Sequence, residues 1–347
     1  MIVTSVTVRV PAKINLQLAV GPLRADGYHD LVTVFHAVSL YDEVTVAAAA
    51  ADSVTVVGEG ADQVPSDGDN LALRAVRELR AAIAERDVVL VDVDVDDDDD
   101  DDDEDVATGE GEEAPASPRR DGGAPHIGGV AVTIRKRIPV AGGLAGGSAD
   151  AAAALVACNE LWQAGLSQQE LCDVAAAVGS DVAFAVLGGT AVGRGRGERL
   201  SPALVAPAAY HWVLAFADGH LSTPAVYGTL DKLRANRAVG TPELSAELMS
   251  ALRAGDPDRL GAALSNDLQA PAVSMFPALR KTLSAGIEFG ALGGLVSGSG
   301  PTCFFLASSA ARASDIAAAL SGAGVCRAVA TAVGPVPGAL LVRGSVV

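Results

Sequence analysis

The most constraining feature of the 347-residue sequence is a glycine-rich segment, residues 139–154, which reads PVAGGLAGGSADAAAA. The apolar and basic run before it, residues 130–138, predicts a strand, and the alanine-rich run after it predicts a helix. Glycine allows positive φ angles and a close approach of the backbone to a ligand, and N–H groups at a helix N-terminus bind anions. We therefore predict a phosphate-binding loop here, with Ser148 as the N-cap of the helix.

The glycine-rich segment differs from the best-known phosphate loop. No lysine follows Gly147, so the segment is not a Walker-type P-loop. A glycine-rich turn that joins a strand to a helix without binding a ligand is the alternative that this segment alone leaves open.

Lys13 and Asp181 are two charged residues in apolar surroundings. Lys13 lies in the segment PAKIN, where it is either a surface lysine whose stem covers a sheet or a cation directed at phosphate. Asp181 is the only ionisable residue between Asp173 and Arg194, so we expect it to be buried or to face a cleft, with a partner. Asp181 can be interpreted as the cap of a short helix that starts at Val182, or as a carboxylate that accepts a hydroxyl proton or holds a metal. The capping role and the functional role are compatible, because a helix N-terminus favours the charged form.

An aromatic turn stands near the N-terminus. The segment Asp-Gly-Tyr-His, residues 26–29, places Tyr28 and His29 at the tip of a predicted turn. The two rings are either loop residues without a function or a stacking platform for a planar ligand.

The local patterns predict a mixture of strands and helices. Residues 3–10, 14–20, 31–40 and 43–48 read as strands, with a turn at Tyr41 and Asp42, and residues 71–84 read as a helix. Ser167 and Glu170 form a capping-box pattern that opens another helix. A second glycine-rich segment, residues 292–302, precedes an apolar strand near the end of the chain.

An acidic tract dominates the charge of the chain. Fifteen Asp and Glu residues lie between positions 92 and 113 with no basic residue among them, and removing them from the formal net charge of −18 leaves −3. We expect a disordered surface insertion at about residues 87–129. A partner-binding or metal-buffering arm is the alternative. The near-neutral remainder shows no basic face for nucleic acid.

The location of the protein can also be inferred. The four cysteines show no metal-binding or disulfide spacing, and the sequence shows no signal peptide and no membrane-spanning run. We therefore expect a cytoplasmic protein.

Taken together, three motifs resemble the signature motifs of the GHMP kinases. They are the lysine segment 11–16, the glycine-rich segment 139–152 and the late segment 297–302, which reads SGSGPT. The resemblance implies an α+β fold of two domains, the first like domain 2 of ribosomal protein S5 and the second ferredoxin-like, with the active site between them. The expected domains are residues 1–196, which carry the acidic insertion, and residues 197–347.

The segments 26–29, 179–184 and 223–227 resemble one branch of this family more closely. That branch uses ATP, with Mg²⁺, to phosphorylate the 2-hydroxyl of 4-diphosphocytidyl-2-C-methyl-D-erythritol in the non-mevalonate isoprenoid pathway. The resemblance implies Asp181 as the catalytic base, Lys13 as its partner and Mg²⁺ near Ser148. The implied ATP-binding residues are Pro139, Val140, Ala141, Gly142, Gly143, Leu144, Ala145, Gly146, Gly147 and Ser148. The implied substrate-binding residues are Asn15, Tyr28, His29, Thr223, Tyr227, Ser297, Gly298, Ser299 and Gly300.

The sequence departs from the family pattern at two positions besides the acidic tract. Ala149 replaces a second serine of the glycine-rich loop, and Tyr227 stands where a phenylalanine is common. The alternative functions are a homoserine- or mevalonate-type kinase of the same family and a ligand sensor of the same fold without catalysis. The main function and the kinase alternative both predict a small-molecule substrate. The sequence leaves open whether the protein is a monomer or a dimer.

Overall fold

The computed structural model describes residues 4–93, 127–235 and 237–342. For residues 87–93 it describes the backbone alone. The acidic tract, for which the sequence predicts disorder, lies almost entirely outside these residues. A first sheet holds eight strands in the order β12-β1-β2-β4-β3, with β5 on β2, β6 on β5 and β8 on β1. These strands are β1 (Ser5–Leu23), β2 (His29–Ala49), β3 (Ser53–Gly58), β4 (Gly129–Lys136), β5 (Thr190–Gly195), β6 (Arg199–Pro202), β8 (Ser265–Asn266) and β12 (Leu340–Leu341).

The two longest strands correct the sequence prediction. β1 is one strand where two were predicted, with shifts of register on each side of the segment that carries Lys13. β2 is also continuous, so the predicted turn at Tyr41 and Asp42 is wrong. The register shifts let β1 stay paired with β2 while it bends, which is how bulges act in antiparallel sheets.

Four helices pack against one another beside the first sheet, and the second and fourth of them contact its strands. They are α1 (Leu71–Val93), α2 (Gly146–Leu161), α3 (Gln168–Val178) and α4 (Ser180–Leu187). The Asn70 side chain accepts a hydrogen bond from the N–H of Ala72 at the start of α1, and Ser167 and Glu170 form the predicted capping box of α3. The helix α1 continues past Ala84 to Val93, so the insertion begins later than the predicted residue 87.

The second sheet has the antiparallel order β11-β7-β10-β9. Its strands are β7 (Tyr210–Phe216), β9 (Gly293–Val296), β10 (Cys303–Ala307) and β11 (Ala328–Gly334). The remaining helices are α5 (Thr223–Arg234), α6 (Ala246–Ala254), α7 (Pro257–Ala263), α8 (Gln269–Met275), α9 (Ala278–Glu288) and α10 (Ala310–Gly322), and a short 3₁₀ helix spans Ala61–Gln63. The sequence did not predict α8.

The side chains of β7 point alternately into two hydrophobic cores, and one of these cores connects the two sheets. Trp212 and Leu214 belong to a hydrophobic core that continues into the first sheet, whereas Val213 and Ala215 belong to a second core under α9 and α10. Successive strand residues point to opposite faces, so the second sheet is covered on both sides. The first sheet also receives β6, β8 and β12 from beyond residue 197, and the chain therefore crosses between the sheets several times.

Candidate active site

A cavity of about 700 Å³ lies where the glycine-rich loop, β1, α4 and the second glycine segment meet. It brings together most of the residues that the sequence predicted for the site. The predicted residues that line it are Lys13, Asn15, Ala141, Gly142, Gly143, Ala145, Gly146, Gly147, Ser148, Asp181, Thr223, Tyr227, Gly298, Ser299 and Gly300. The predicted residues that do not line it are Tyr28, His29, Pro139, Val140, Leu144 and Ser297.

The backbone of the glycine-rich loop is shaped to present its N–H groups. Ala141, Gly143 and Ala145 have φ angles of 53°, 78° and 59°, so alternate residues are left-handed. Such alternation turns successive N–H groups towards one concavity, which suits an anion. Ala145, not Ser148, is the N-cap of α2, and Ser148 is the third residue of the helix. The predicted N-cap is therefore wrong, because the helix begins at the second pair of glycines.

The second glycine segment braces the first. The buried Ser297 hydroxyl donates a 3.0 Å hydrogen bond to the carbonyl of Gly143, and the N–H of Thr302 donates to the carbonyl of Gly142 at 3.2 Å. A Cβ atom at Gly143 would lie 2.1 Å from the carbonyl oxygen of Ser297. Only glycine therefore fits there, and Ser297 supports the loop from behind instead of facing the cavity.

Lys13 and Asp181 face each other in the cavity. Lys13 Nζ lies 3.7 Å from Asp181 Oδ2, and the two side chains are 8% and 35% exposed. The Lys13 ammonium donates to Asn15 Oδ1 at 2.8 Å and to the Gly143 carbonyl at 3.3 Å. These bonds hold the ammonium between the carboxylate and the glycine-rich loop, and they leave the Asp181 carboxylate accessible from the cavity.

The position of Asp181 follows from the start of α4. It is the second residue of that helix, which begins at Ser180 after Gly179 instead of at the predicted Val182. A carboxylate in the first helical turn is stabilised by the helix dipole. Burial, and to a smaller degree the nearby Asp181 carboxylate, raises the pKa of the Tyr227 phenol, so Tyr227 stays neutral.

A second cavity of about 790 Å³ adjoins the first and contains the aromatic residues. Tyr28, His29 and Tyr227 line it, and Tyr227 lines both cavities. The His29 and Tyr227 rings stack with centroids 5.3 Å apart, and His29 Nε2 lies 2.8 Å from Asp231 Oδ1. Tyr28 is 53% exposed at the rim, where Cζ of Arg196 lies 4.9 Å from the centroid of its ring.

A buried charge cluster supports the other side of the glycine-rich loop. Lys136 Nζ donates to Asp42 Oδ2 at 2.5 Å and to Asp150 Oδ2 at 2.7 Å. Asp42 Oδ1 accepts from the backbone N–H groups of Arg137 and Ile138. The cluster thus ties β2 to the residues just before the loop and to the first turns of α2 after it.

Burial and charge act against each other in this cluster. Burial raises the pKa of Asp150 to about 8 although Lys136 opposes the shift, and Asp150 Oδ1 has no hydrogen-bond partner. Burial alone would lower the pKa of Lys136, but Asp150 and Asp42 reverse the effect and raise it. Lys136 is therefore charged, and protonation of Asp150 relieves the excess of negative charge around it.

A third cavity, of about 340 Å³, lies on the far side of the glycine-rich loop. Ala141 and Gly147 line both it and the first cavity, and Asn70, Leu71 and Asp150 line it from α1 and α2. The loop therefore separates two connected spaces, one beside Asp181 and one beside the start of α1.

Several residues in and beside these cavities were missed in the sequence. No local pattern marks Asp42 and Lys136 as partners, because 94 residues separate them. Arg196 lies in a glycine- and arginine-rich turn that resembles an ordinary loop, and Asp231 is one of many polar helix residues. Nothing in the sequence predicts the left-handed backbone angles of Ala141 and Ala145, since alanine seldom adopts such angles.

Within residues 4–93, 127–235 and 237–342, no group of three or more His, Cys, Asp or Glu side chains could hold a metal ion. None of the helices in the same residues is long and apolar enough to cross a membrane.

Known proteins resemble the chain in sequence and in structure. The models of the GHMP kinase N-terminal and C-terminal domains match residues 116–189 and 248–326. A 4-diphosphocytidyl-2-C-methyl-D-erythritol kinase of Mycolicibacterium smegmatis is 52% identical over 343 residues, which cover 97% of this chain and 92% of that protein. The crystal structure of a 4-(cytidine 5'-diphospho)-2C-methyl-D-erythritol kinase is 29% identical, with a TM-score of 0.67 over 94% of this chain and 98% of the other.

A more distant structure shares the fold alone. The homoserine kinase of Cytophaga hutchinsonii is 18% identical, with a TM-score of 0.65 over 97% of each chain. The two domain matches and these structures confirm the predicted two-domain α+β fold.

Proposed function

The chain belongs to the GHMP kinases, within the branch of 4-diphosphocytidyl-2-C-methyl-D-erythritol kinases, and we propose that its reaction takes place in the cavity that holds Lys13 and Asp181. The chain is an ATP-dependent small-molecule kinase that phosphorylates the 2-hydroxyl of this substrate and yields the 2-phosphate and ADP. The main function predicted from the sequence is thereby confirmed. The homoserine- and mevalonate-type alternatives have no comparable support, since homoserine kinase shares only the fold.

The observation that carries the assignment of the site is the Lys13–Asp181 pair beside the glycine-rich loop. Asp181 accepts the proton of the substrate hydroxyl, or orients that hydroxyl, as it attacks the γ-phosphorus of ATP. Lys13 pairs with the Asp181 carboxylate and offsets the negative charge that develops on the transferred group. Its second bond, to the Gly143 carbonyl at 3.3 Å, fixes the ammonium next to the loop that holds the phosphates. Phosphoryl transfer depends mainly on such positioning and on charge neutralisation.

The first and third cavities together have room for ATP, and we propose that it spans them. Its phosphates lie on the N–H groups of residues 141–148, at the start of α2. Its nucleoside extends past Ala141 and Gly147 into the third cavity, where Leu71 supplies an apolar wall.

Mg²⁺ fits beside these phosphates. Ser148 lines the first cavity and is the residue of the loop with a hydroxyl oxygen, and Mg²⁺ is commonly held by one or two protein oxygens together with the phosphates of the nucleotide. When bound, the ion neutralises part of the phosphate charge.

The cytidine end of the substrate occupies the second cavity. Tyr28 and Tyr227 offer ring faces, and His29 offers a ring nitrogen that Asp231 does not engage. Stacking of a base on an aromatic ring contributes about 1–3 kcal/mol per base. The methylerythritol end then reaches Asn15 and Asp181 in the first cavity, which adjoins the second at Tyr227. Four free thiols fit a reducing compartment, so we also propose a cytoplasmic location.

The test is an ADP-release assay of the full chain with ATP and Mg²⁺. It compares the cytidine diphosphate substrate with homoserine, mevalonate and phosphomevalonate. We expect turnover with the cytidine compound alone. Turnover with one of the others instead would overturn the role of the aromatic cavity. No turnover with any of them, from folded protein that still binds ATP, would overturn catalysis and favour a ligand sensor.

A further inference from the structure

Arg196 occupies the junction between the two cavities on the substrate side. Six residues line both the cavity of Asp181 and the cavity of the aromatic rings, and Arg196 is the charged one among them. The others shared by both cavities are Leu31, Ser180, Thr223, Pro224 and Tyr227. A ligand that extends from the rings to Asp181 must pass this guanidinium.

The turn after β5 fixes the backbone of Arg196. Gly195 has a φ angle of 72°, and the carboxylate of Glu198 accepts a 2.6 Å hydrogen bond from the N–H of Arg196. Glu198 is therefore engaged by the backbone of the turn. The guanidinium lies over the ring of Tyr28, with 4.9 Å from Cζ to the ring centroid. A cation over a ring face is held loosely and keeps its N–H donors available.

The guanidinium of Arg196 has no acidic partner among the described residues. Among the described residues, neither Arg196 nor Arg74, which also lines the aromatic cavity, lies within ion-pair distance of a carboxylate. Two unpaired guanidinium groups on the wall of one cavity indicate an anionic ligand.

We propose that Arg196 binds the diphosphate of the substrate and thereby sets the preference for a nucleoside diphosphate over a nucleoside, with Arg74 as a second cation on the wall of the aromatic cavity. The proposal rests on the proposed function, because it assumes that the cytidine ring lies in the aromatic cavity. The diphosphate joins the cytidine to the methylerythritol, so it must lie between the two cavities. A guanidinium binds phosphate oxygens through two parallel N–H donors, which a lysine does not reproduce.

The first experiment compares Arg196→Gln with a matched control. Arg199→Gln removes the same charge from an exposed strand residue that lines neither cavity. We expect Arg196→Gln to raise KM for the cytidine diphosphate substrate at least about tenfold, as loss of a hydrogen bond to a charged group predicts. KM for ATP should stay within twofold, and Arg199→Gln should change neither. A rise in KM for ATP alone would overturn the proposal and move Arg196 to the γ-phosphate.

The second experiment separates diphosphate binding from the cytidine site. Calorimetric titrations compare CDP with cytidine on the parent chain and on Arg196→Gln. We expect the parent to prefer CDP, and the variant to lose at least about tenfold in affinity for CDP while its affinity for cytidine is unchanged. An equal loss for both ligands would show that Arg196 acts by holding Tyr28, and it would overturn the proposal. A parent chain that binds neither ligand would instead contradict the proposed function itself.

Discussion

Lys136 Nζ lies 2.7 Å from Asp150 Oδ2, and this contact joins the strand before the glycine-rich loop to the helix after it. The contact is almost inaccessible to water, with side chains 1% and 3% exposed. Asp42 completes the cluster from β2 and accepts two backbone N–H groups at the entry of the loop. The glycine-rich loop is therefore positioned on both sides by one buried charge cluster.

Asp150 should make the stability of the protein depend on pH. Its pKa is raised from 3.8 to about 8 in the folded chain, mainly by burial. A carboxyl whose pKa is raised by folding stabilises the fold fully at a pH below the pKa of the same group in the unfolded chain. This contribution is lost as the pH rises from about 4 to 8. We expect Asp150→Asn, which is neutral throughout, to lose less stability than the parent between pH 5 and pH 8. Urea unfolding at both pH values checks this, and the exposed Asp173→Asn is the control. Equal changes in the parent and in Asp150→Asn would contradict it.

Asp42 should tolerate substitution far less well than Asp150. An asparagine at position 42 removes the negative charge beside the buried Lys136, and its NH₂ group cannot accept from the neighbouring donors. Breaking a buried ion pair at one partner costs about 3–5 kcal/mol. We expect Asp42→Asn to lower the free energy of unfolding by this amount at pH 7, as measured by urea denaturation. A loss no larger than that of Asp150→Asn would show that the two carboxylates are equivalent.

The contrast between these two aspartates shows what the sequence could and could not predict. Asp150 lies in the glycine-rich motif, which the sequence marked clearly. Asp42 was interpreted as part of a turn, because a tyrosine followed by an aspartate interrupts an apolar run. The structure buries that carboxylate because Lys136 reaches it from β4, and a partner 94 residues away leaves no trace in a local pattern.

The residues predicted for the site lie together in the structure, whereas the two longest strands differ from their predicted boundaries. Lys13, Asp181 and the glycine-rich loop meet in one cavity, as their motifs predicted. The predicted N-cap at Ser148 was wrong, since the turn of the loop depends on left-handed angles at Ala141 and Ala145. Alanine adopts such angles only when tertiary contacts impose them, so the backbone of the loop could not be predicted from residue types.

Asp181→Asn should impair turnover more than binding. The amide cannot accept the proton of the hydroxyl, and general-base catalysis contributes about 10²- to 10⁴-fold to the rate. We expect kcat to fall by that factor, with KM for both substrates within about threefold, since positioning contacts remain. Steady-state ADP release measures both constants. A structural role would appear differently, as a lower melting temperature with unchanged turnover per folded molecule.

Gly143→Ala should weaken ATP binding through the loop. The added Cβ would lie 2.1 Å from the Ser297 carbonyl at a residue with a φ angle of 78°, so the loop must shift. Gly165→Ala is the matched control, because Gly165 has a φ angle of 69° and nothing within 4 Å of the added atom. Both variants should lose about 1 kcal/mol or more of stability from the strained angle. We expect KM for ATP to rise only in Gly143→Ala. The same kinetics in both variants would contradict the steric argument.

Asp231 should determine how well the aromatic cavity distinguishes cytosine from uracil. Its carboxylate lies 2.8 Å from His29 Nε2, and in the tautomer that carries its proton on Nε2 the other ring nitrogen, Nδ1, is an acceptor. Cytosine carries an exocyclic amine that can donate to such an acceptor, whereas uracil carries a carbonyl at the same position. We expect Asp231→Ala to raise KM for the cytidine substrate about three- to tenfold, since one hydrogen bond contributes about 0.5–1.5 kcal/mol. The preference over the uridine analogue should shrink by a similar factor. Competition assays with CDP and UDP measure that preference, with the neighbouring exposed Lys232→Ala as the control. A preference that is unchanged in Asp231→Ala would mean that the backbone and ring faces select the base without this imidazole.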